Sequence, residues 1–400
     1  MKPFSPASPW RFEAGLTYLT HGTFGACPVP VLAWQRSLMD ELEASPVAFL
    51  DETLEGRLDA ARGTIGSFLH ADPDGLVFLP NATTGVSTVL RSLSFKPGDQ
   101  LLTTNHEYNA TLNALAEVAR AAGAEVVRVD LPFEIESEAE VLEAVLAAVT
   151  PRTRLALVSH VSSPTATILP VADMVAALDA RGIDTLVDAA HAPGQVPVDV
   201  DALRAAYWTA NGHKWLCGPK GSAVLHVRAD RRDRIHPLVI SHGWNDSRSG
   251  RSQFEKEFGC LGTLDPTPFL ALPEAIRVVG GMDPGGWPAI MAANHELVIE
   301  GRERIAQALG MPLKIPEALV GSMAIVPLPL PNRDGAIEAL KDELKDVDHI
   351  EVPIVAFPVP AARRDPSDPP STAAVRISAQ RYNDPVDYEL LASALTRRLR

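Results

Sequence analysis

The sequence predicts an α/β fold: a seven-stranded, mostly parallel sheet with helices on both faces, followed by a smaller C-terminal α+β portion. Three observations predict it. Short apolar runs recur near residues 76, 101, 125, 155, 185, 205 and 223, and stretches with helical spacing separate most of them. Strand after helix, repeated, builds a parallel sheet. The run Leu155-Ala-Leu-Val-Ser is almost wholly apolar, as expected of a strand covered on both faces. Finally, 400 residues exceed one ordinary core. We expect a large unit over 20–270 and a smaller one formed by 1–19 and 271–400.

Composition narrows the function. Hydrophobic residues make up 46% and charged residues 22%, as in a soluble globular protein. The formal charge of -14 argues against a nucleic-acid backbone or an anionic membrane surface as partner. Three cysteines, Cys27, Cys217 and Cys260, are far apart and odd in number. They suggest neither a disulfide framework nor a metal site, and they suit a reducing, cytoplasmic setting. The stretch MKPFSPASPWRFEAG has no apolar signal core, and no run of about 18 apolar residues predicts a membrane span.

Taken in order, residues 1–20 are Pro-rich and irregular. In Tyr18-Leu-Thr-His-Gly-Thr-Phe-Gly-Ala-Cys-Pro28, glycines at 22 and 25 free the backbone to turn. Residues 31–70 read as helices, with Leu58, Ala61, Ile65 and Leu69 at helical spacing. The strand at 76–79 runs into Pro-Asn-Ala-Thr-Thr-Gly85 and a helix over 86–93. Such a junction offers free N–H groups and a helix dipole to an anion, though an ordinary capped helix reads the same way. Strand 100–104 leads through Asn105-His-Glu-Tyr-Asn-Ala110 into a helix ending near 122. Strand 125–130, helix 137–149, strand 155–160, the turn Val161-Ser-Ser-Pro-Thr165 and helix 171–181 follow.

Residues 185–215 carry the chemistry. One apolar run ends in Asp188, with His191 three residues on; the next ends in Ala-Asn-Gly-His-Lys, with Lys214 just past it. Two strands thus deliver an acid, an imidazole and a lysine to the carboxyl end of the sheet, where open α/β sheets bind ligands. A lysine and a carboxylate are what pyridoxal phosphate (PLP) requires. The amine forms a Schiff base with the aldehyde, and the carboxylate pairs with the ring nitrogen. Next to a cation the carboxylate is expected to stay ionised.

Beyond Lys214 come Gly-Pro-Lys-Gly221, a strand at 222–227, the loop Ile240-Ser-His-Gly-Trp-Asn245 and the segment Glu257-Phe-Gly-Cys-Leu-Gly-Thr263. A long helical region runs from Pro273 to about 309. The C-terminal part reads as strand 321–326, helix 335–344, strands 350–357 and 373–377, and a last helix after Pro385. Residues 358–370, rich in proline, read as a loop and a candidate lid.

The order of Asp-x-x-His, Asn-x-His-Lys-Trp and Gly-Pro-Lys-Gly resembles the class V aminotransferases. This PLP fold-type I family includes cysteine desulfurases, kynureninases and isopenicillin N epimerases. The motifs HGTFG, HEYNA, SHVSSPT and NGHKW are most similar to the isopenicillin N epimerase-like branch. The resemblance covers nearly the whole chain. It implies that Lys214 carries the cofactor, Asp188 faces the ring nitrogen and His191 lies near the ring hydroxyl. Ala82 and Thr83 would hold the phosphate, with Asn211 and His213 beside the cofactor. Tyr108 takes the place of the aromatic residue, usually histidine, that stacks on the pyridine, with His106 behind it. Ser163 stands where desulfurases have an asparagine. Thr263 would reach the phosphate of a second copy, giving a homodimer with shared active sites. On the substrate side, His21, Gly22, Thr23 and His242, with Trp244, would border the pocket. Arg376 would clamp the substrate carboxylate, a task suited to a planar guanidinium.

Fold and cofactor leave the reaction open. No cysteine lies between Val352 and Arg376, which disfavours the persulfide route of desulfurases. We expect an enzyme that removes the Cα proton of an amino acid bound to PLP. The first reading is an isopenicillin N epimerase-like epimerase, with Lys214 on one face of Cα and Tyr108, His21 or His242 on the other. The second is a cysteine-conjugate C–S lyase acting by β-elimination, or a desulfurase-like enzyme. Transamination comes third.

Overall fold

The computed structural model describes residues 9–330, 335–363 and 372–399. The large sheet contains β1 (Leu76–Leu79), β2 (Gln100–Thr104), β3 (Glu125–Val129), β4 (Thr153–Ser159), β5 (Asp184–Asp188), β6 (Tyr207–Asn211) and β7 (Ala223–Val227). Their order is β1-β7-β6-β5-β4-β2-β3. Strand β7 runs antiparallel to both neighbours, and the remaining pairs are parallel. The carboxyl ends of β4, β5 and β6 therefore lie side by side, with Ser159 paired to Asp188 and Asp188 to Thr209.

Alternation along each strand sends its residues to two cores. Leu155, Leu157, Leu186, Tyr207 and Leu225 pack with Val86, Val89 and Leu115. These three come from helices α1 (Ala82–Ser92) and α2 (Asn109–Ala122). Ala156, Val158, Val187, Trp208 and Ala210 face the other way, into a cluster that continues to Val326, Ile377 and Leu395. The C-terminal portion thus shares a core with one face of the large sheet. It holds an antiparallel sheet of β8 (Met323–Leu328), β9 (Ile354–Phe357) and β10 (Thr372–Ser378), ordered β9-β10-β8. Helices α3 (Gly286–Leu309) and α4 (Pro385–Leu399) pack against each other, and α3 also packs on this sheet. Thr17–Tyr18 pairs in parallel with Ile350–Glu351.

Among the boundaries that differ from the sequence reading, four stand out. Helix α1 starts at Ala82 rather than 86, because Asn81 caps it: its Oδ1 accepts the Thr84 N–H at 2.8 Å. Strand β6 is shifted two residues along, which brings Asn211 onto its end. The helical region before 309 is broken between Leu272–Gly280 and Gly286–Leu309, where Gly286 has φ +66. The strand expected over 350–357 is split by Pro353, which has no N–H to donate. Of the candidate lid, Pro360–Ala362 forms a short turn whose Ala361 N–H donates to Asn109 Oδ1 at 2.9 Å; residues 364–370 lie outside the described residues. Among the described residues, no helix is long and apolar enough to cross a membrane.

Candidate active site

The loop after β6 carries Lys214. The chain at Gly25 passes so close that a Cβ there would collide with the carbonyl oxygens of His213 and Lys214, so only glycine fits. Lys214 Nζ lies 2.9 Å from His191 Nε2. Burial pushes its pKa down to about 7, Arg376 adds to the effect and Asp188 opposes it. The positive charge is disfavoured because the amine has left water while a second cation stands nearby.

Asp188 ends β5, and its Oδ1 accepts the Ala190 N–H at 3.1 Å. The sequence leads us to expect an ionised carboxylate once it is paired with the cationic ring nitrogen. Without that partner, burial raises its pKa, against the Ala190 bond and the Lys214 charge. Desolvation outweighs one neighbouring amine, and a cationic ring nitrogen placed against Asp188 would reverse the balance. His191 is buried, and its Nδ1 accepts from Trp215 Nε1 at 3.3 Å. Burial, then the charges of Lys214 and Arg376, hold it neutral, well below the usual histidine range.

Arg376 lies buried on β10, at the far end of the sequence. Its Nη2 donates to Thr23 Oγ1 at 2.8 Å, and its Nη1 to the Ser163 carbonyl and, at 3.3 Å, to Ser163 Oγ. Its Nε is buried without a hydrogen-bond partner. Burial pushes its pKa down to about 10, opposed by Tyr108. Three distant segments thus converge on one guanidinium. Ser163, expected beside the cofactor, here serves the arginine. Tyr108 precedes α2 and is 46% exposed, with its phenol close enough to Arg376 to act on its charge.

At the start of α1, the Ala82 N–H donates to Asn211 Oδ1 at 2.9 Å. Asn211 therefore clasps the helix to β6 and engages the Ala82 amide expected to hold the phosphate. The adjacent Thr83 amide has no acceptor among the described residues. His213 Nδ1 sits 3.1 Å from the Ser222 carbonyl, and burial lowers its pKa to about 4.

Several candidates for substrate contact lie elsewhere. His21 is fully buried, with Nδ1 2.9 Å from Tyr382 Oη and Nε2 3.1 Å from the Lys214 carbonyl. It supports the lysine loop from behind, because the turn at Gly22 points its side chain inward. The Gly22 N–H donates to Ser378 Oγ at 3.1 Å, and a Cβ there would collide with Met323 Sδ. His242 and Thr263 are both exposed, and neither bonds to a cleft residue among the described ones. Trp244 packs on His236 with ring centroids 5.4 Å apart. His106 is buried between Thr165 Oγ1 at 2.7 Å and the Pro132 carbonyl at 2.9 Å.

One acid escaped the sequence reading. Glu107 is fully buried, accepting from Thr104 Oγ1 at 3.0 Å and from Ser159 Oγ. Burial, aided by the charge of Asp188, raises its pKa from 4.5 to about 8. The motif HEYNA contains it, but nothing local reveals that a side chain next to an exposed tyrosine is wholly enclosed. The folded state holds this proton where the unfolded chain has lost it. Glu107 therefore adds stability in full below about pH 4.5 and loses it as pH rises through about 8. Glu107→Gln is expected to flatten the fall in melting temperature between those two pH values; an unchanged slope would show that Glu107 is ionised in the fold.

A buried amine, a buried carboxylate, a helix start with a free amide and an arginine with an unpaired Nε are a donor set that fits PLP. The model of the family described as aminotransferase class-V matches residues 43–326. The chain belongs to the class V aminotransferase family. It is a PLP-dependent enzyme, and its family implies an amino acid substrate. The putative L-cysteine desulfhydrase 1 of Oryza sativa subsp. japonica is 32% identical over 413 residues, covering 96% of this chain and 83% of the relative. The isopenicillin N epimerase of Amycolatopsis lactamdurans is 32% identical over 397 residues, covering 96% and 95%. Among solved structures, a cysteine desulfurase from Escherichia coli superimposes with TM-score 0.79 at 20% identity, covering 100% and 99%. A cystine C–S lyase complexed with cysteine persulfide gives 0.78 at 21%, covering 96% and 98%. These two likenesses establish that the class V fold expected from the sequence, fold type I, is present.

Proposed function

We propose that this class V enzyme is a C–S lyase that expels sulfur from the β-carbon of a cysteine-like amino acid, using Lys214 as its single base. The observation that carries the proposal is the position of His21. An epimerase exchanges protons on both faces of Cα, whereas β-elimination needs one base that takes a proton and passes it on. His21, a candidate for the second face, is enclosed behind the Lys214 carbonyl with both ring nitrogens engaged.

When bound, PLP supplies an electron sink for the pair released at Cα. Arg376, steadied by Thr23 and Ser163, would orient the substrate carboxylate. The Lys214 amine, with its pKa near 7, suits proton abstraction at neutral pH. It would take the Cα proton and deliver it to the departing sulfur as the Cβ–S bond breaks. With water, cysteine then gives sulfide, pyruvate and ammonium. A second copy of the chain belongs to this reading, because Thr263 stands exposed and is available to a neighbour's phosphate.

A second reading, epimerisation, is favoured by Tyr108, whose partly exposed phenol stands near Arg376 and offers an acid for the other face. The relatives named above divide between these two chemistries at equal identity. Incubating L-cysteine, its S-conjugates and a panel of single-enantiomer amino acids in deuterated water separates them. Lyase action gives pyruvate and thiol in equal amounts. Deuterium at Cα with inverted configuration, and no pyruvate, would replace the lyase reading with the epimerase.

A further inference from the structure

Trp215, next to the lysine, is fully buried. Its ring is packed against His21 with centroids 5.0 Å apart. The indole Nε1–H points at His191 Nδ1 over 3.3 Å, and the opposite nitrogen of that imidazole lies 2.9 Å from Lys214 Nζ. An indole nitrogen donates only, and a neutral imidazole has one donor and one acceptor. His191 Nδ1 must therefore be the acceptor, and Nε2 must carry the hydrogen. That hydrogen finds an acceptor at Lys214 only when the amine keeps its lone pair, because an ammonium has three donors and no acceptor. With the tryptophan in place, a protonated lysine would set donor against donor across 2.9 Å.

We propose that Trp215 is a positioning residue that holds His191 as its Nε2–H tautomer and thereby keeps the Lys214 amine unprotonated, ready to capture the cofactor aldehyde. The inference goes beyond the choice between lyase and epimerase and holds for either. Other charged groups face the same amine: Asp188 from the end of β5 and Arg376 from β10, with His213 preceding it in the chain and Glu107 acting on Asp188. Asp188 favours the ammonium and Arg376 opposes it. Trp215 differs from all of them because it acts through the orientation of one hydrogen rather than through charge. A side chain without an N–H at this position leaves the imidazole free to present either nitrogen, and an Nδ1–H tautomer would accept a hydrogen bond from the ammonium.

The test uses cofactor-stripped protein without amino acid substrate, so its outcome is separate from that of the proposed reaction. The rate of PLP capture, followed by visible absorbance, is measured against pH for the wild type and Trp215→Phe. The expected result is a midpoint moved up by about one pH unit in the variant. Capture at neutral pH is then about tenfold slower and returns to the wild-type rate in alkali. An unshifted midpoint, or a loss equal at every pH, overturns the proposal, since lost packing would slow capture uniformly. Should Trp215→Phe fail to fold, the wild-type protein decides: nitrogen-15 NMR of labelled histidine should find the His191 proton on Nε2. Finding it on Nδ1 overturns the proposal.

Discussion

Lys214→Ala is expected to lower turnover by about 10⁴-fold, the upper range for removing a positioned acid–base group, and to eliminate covalent cofactor attachment. Two roles fall on one nitrogen here. On our assignment the amine anchors PLP, and it is also the group in the cleft whose pKa of about 7 suits proton abstraction. The substitution also removes the neighbour 2.9 Å from His191 Nε2. The measurement is twofold: the visible spectrum of the purified variant after PLP addition, and pyruvate release from L-cysteine. A variant that retains both the wild-type spectrum and turnover would remove Lys214 from the mechanism.

Arg376→Lys is expected to lower kcat/KM by about 10²-fold, mostly through KM. A lysine keeps the charge but loses the two-pronged planar fork. The guanidinium reaches Thr23 Oγ1 on one side and Ser163 on the other, and a compact ammonium lacks the planar span that reaches both while presenting parallel N–H groups to a carboxylate. Breaking one partner of a buried, hydrogen-bonded charge pair costs about 3 kcal/mol, which corresponds to that loss. Substrate analogues lacking the carboxylate make the control: the variant should discriminate against them far less than the wild type does. Equal discrimination would mean that Arg376 shapes the fold rather than binding substrate.

Both predictions concern residues that the amino-acid sequence singles out, for different reasons. Asp188, His191 and Lys214 lie within one short stretch, and adjacent strand ends bring them together. Arg376 stands out only by resemblance, because its partners, Thr23 and Ser163, are hundreds of residues away in the chain. His21 and Gly22 show the opposite limit. Their motif is visible in the sequence, but whether the turn aims a side chain at the cleft or behind it depends on packing against Met323, Trp215 and Ser378. The resemblance implies that Ala82 and Thr83 hold the phosphate. The contact of the Ala82 amide with Asn211, at the end of β6, follows from a two-residue shift in the strand that the sequence does not reveal.

The amino-acid order alone determined the seven-stranded α/β architecture, the delivery of Asp188, His191 and Lys214 to neighbouring strand ends, and the absence of a desulfurase-type cysteine ahead of Arg376. Those properties reside in periodicity and short spacings, which the chain carries locally. Only the folded arrangement decided how burial shifts the proton affinities of Glu107, Asp188 and Lys214, the direction in which His21 faces and the proton position that Trp215 imposes on His191. Each depends on desolvation or on a single hydrogen bond between segments distant in sequence, and neither exists until the core has closed around them.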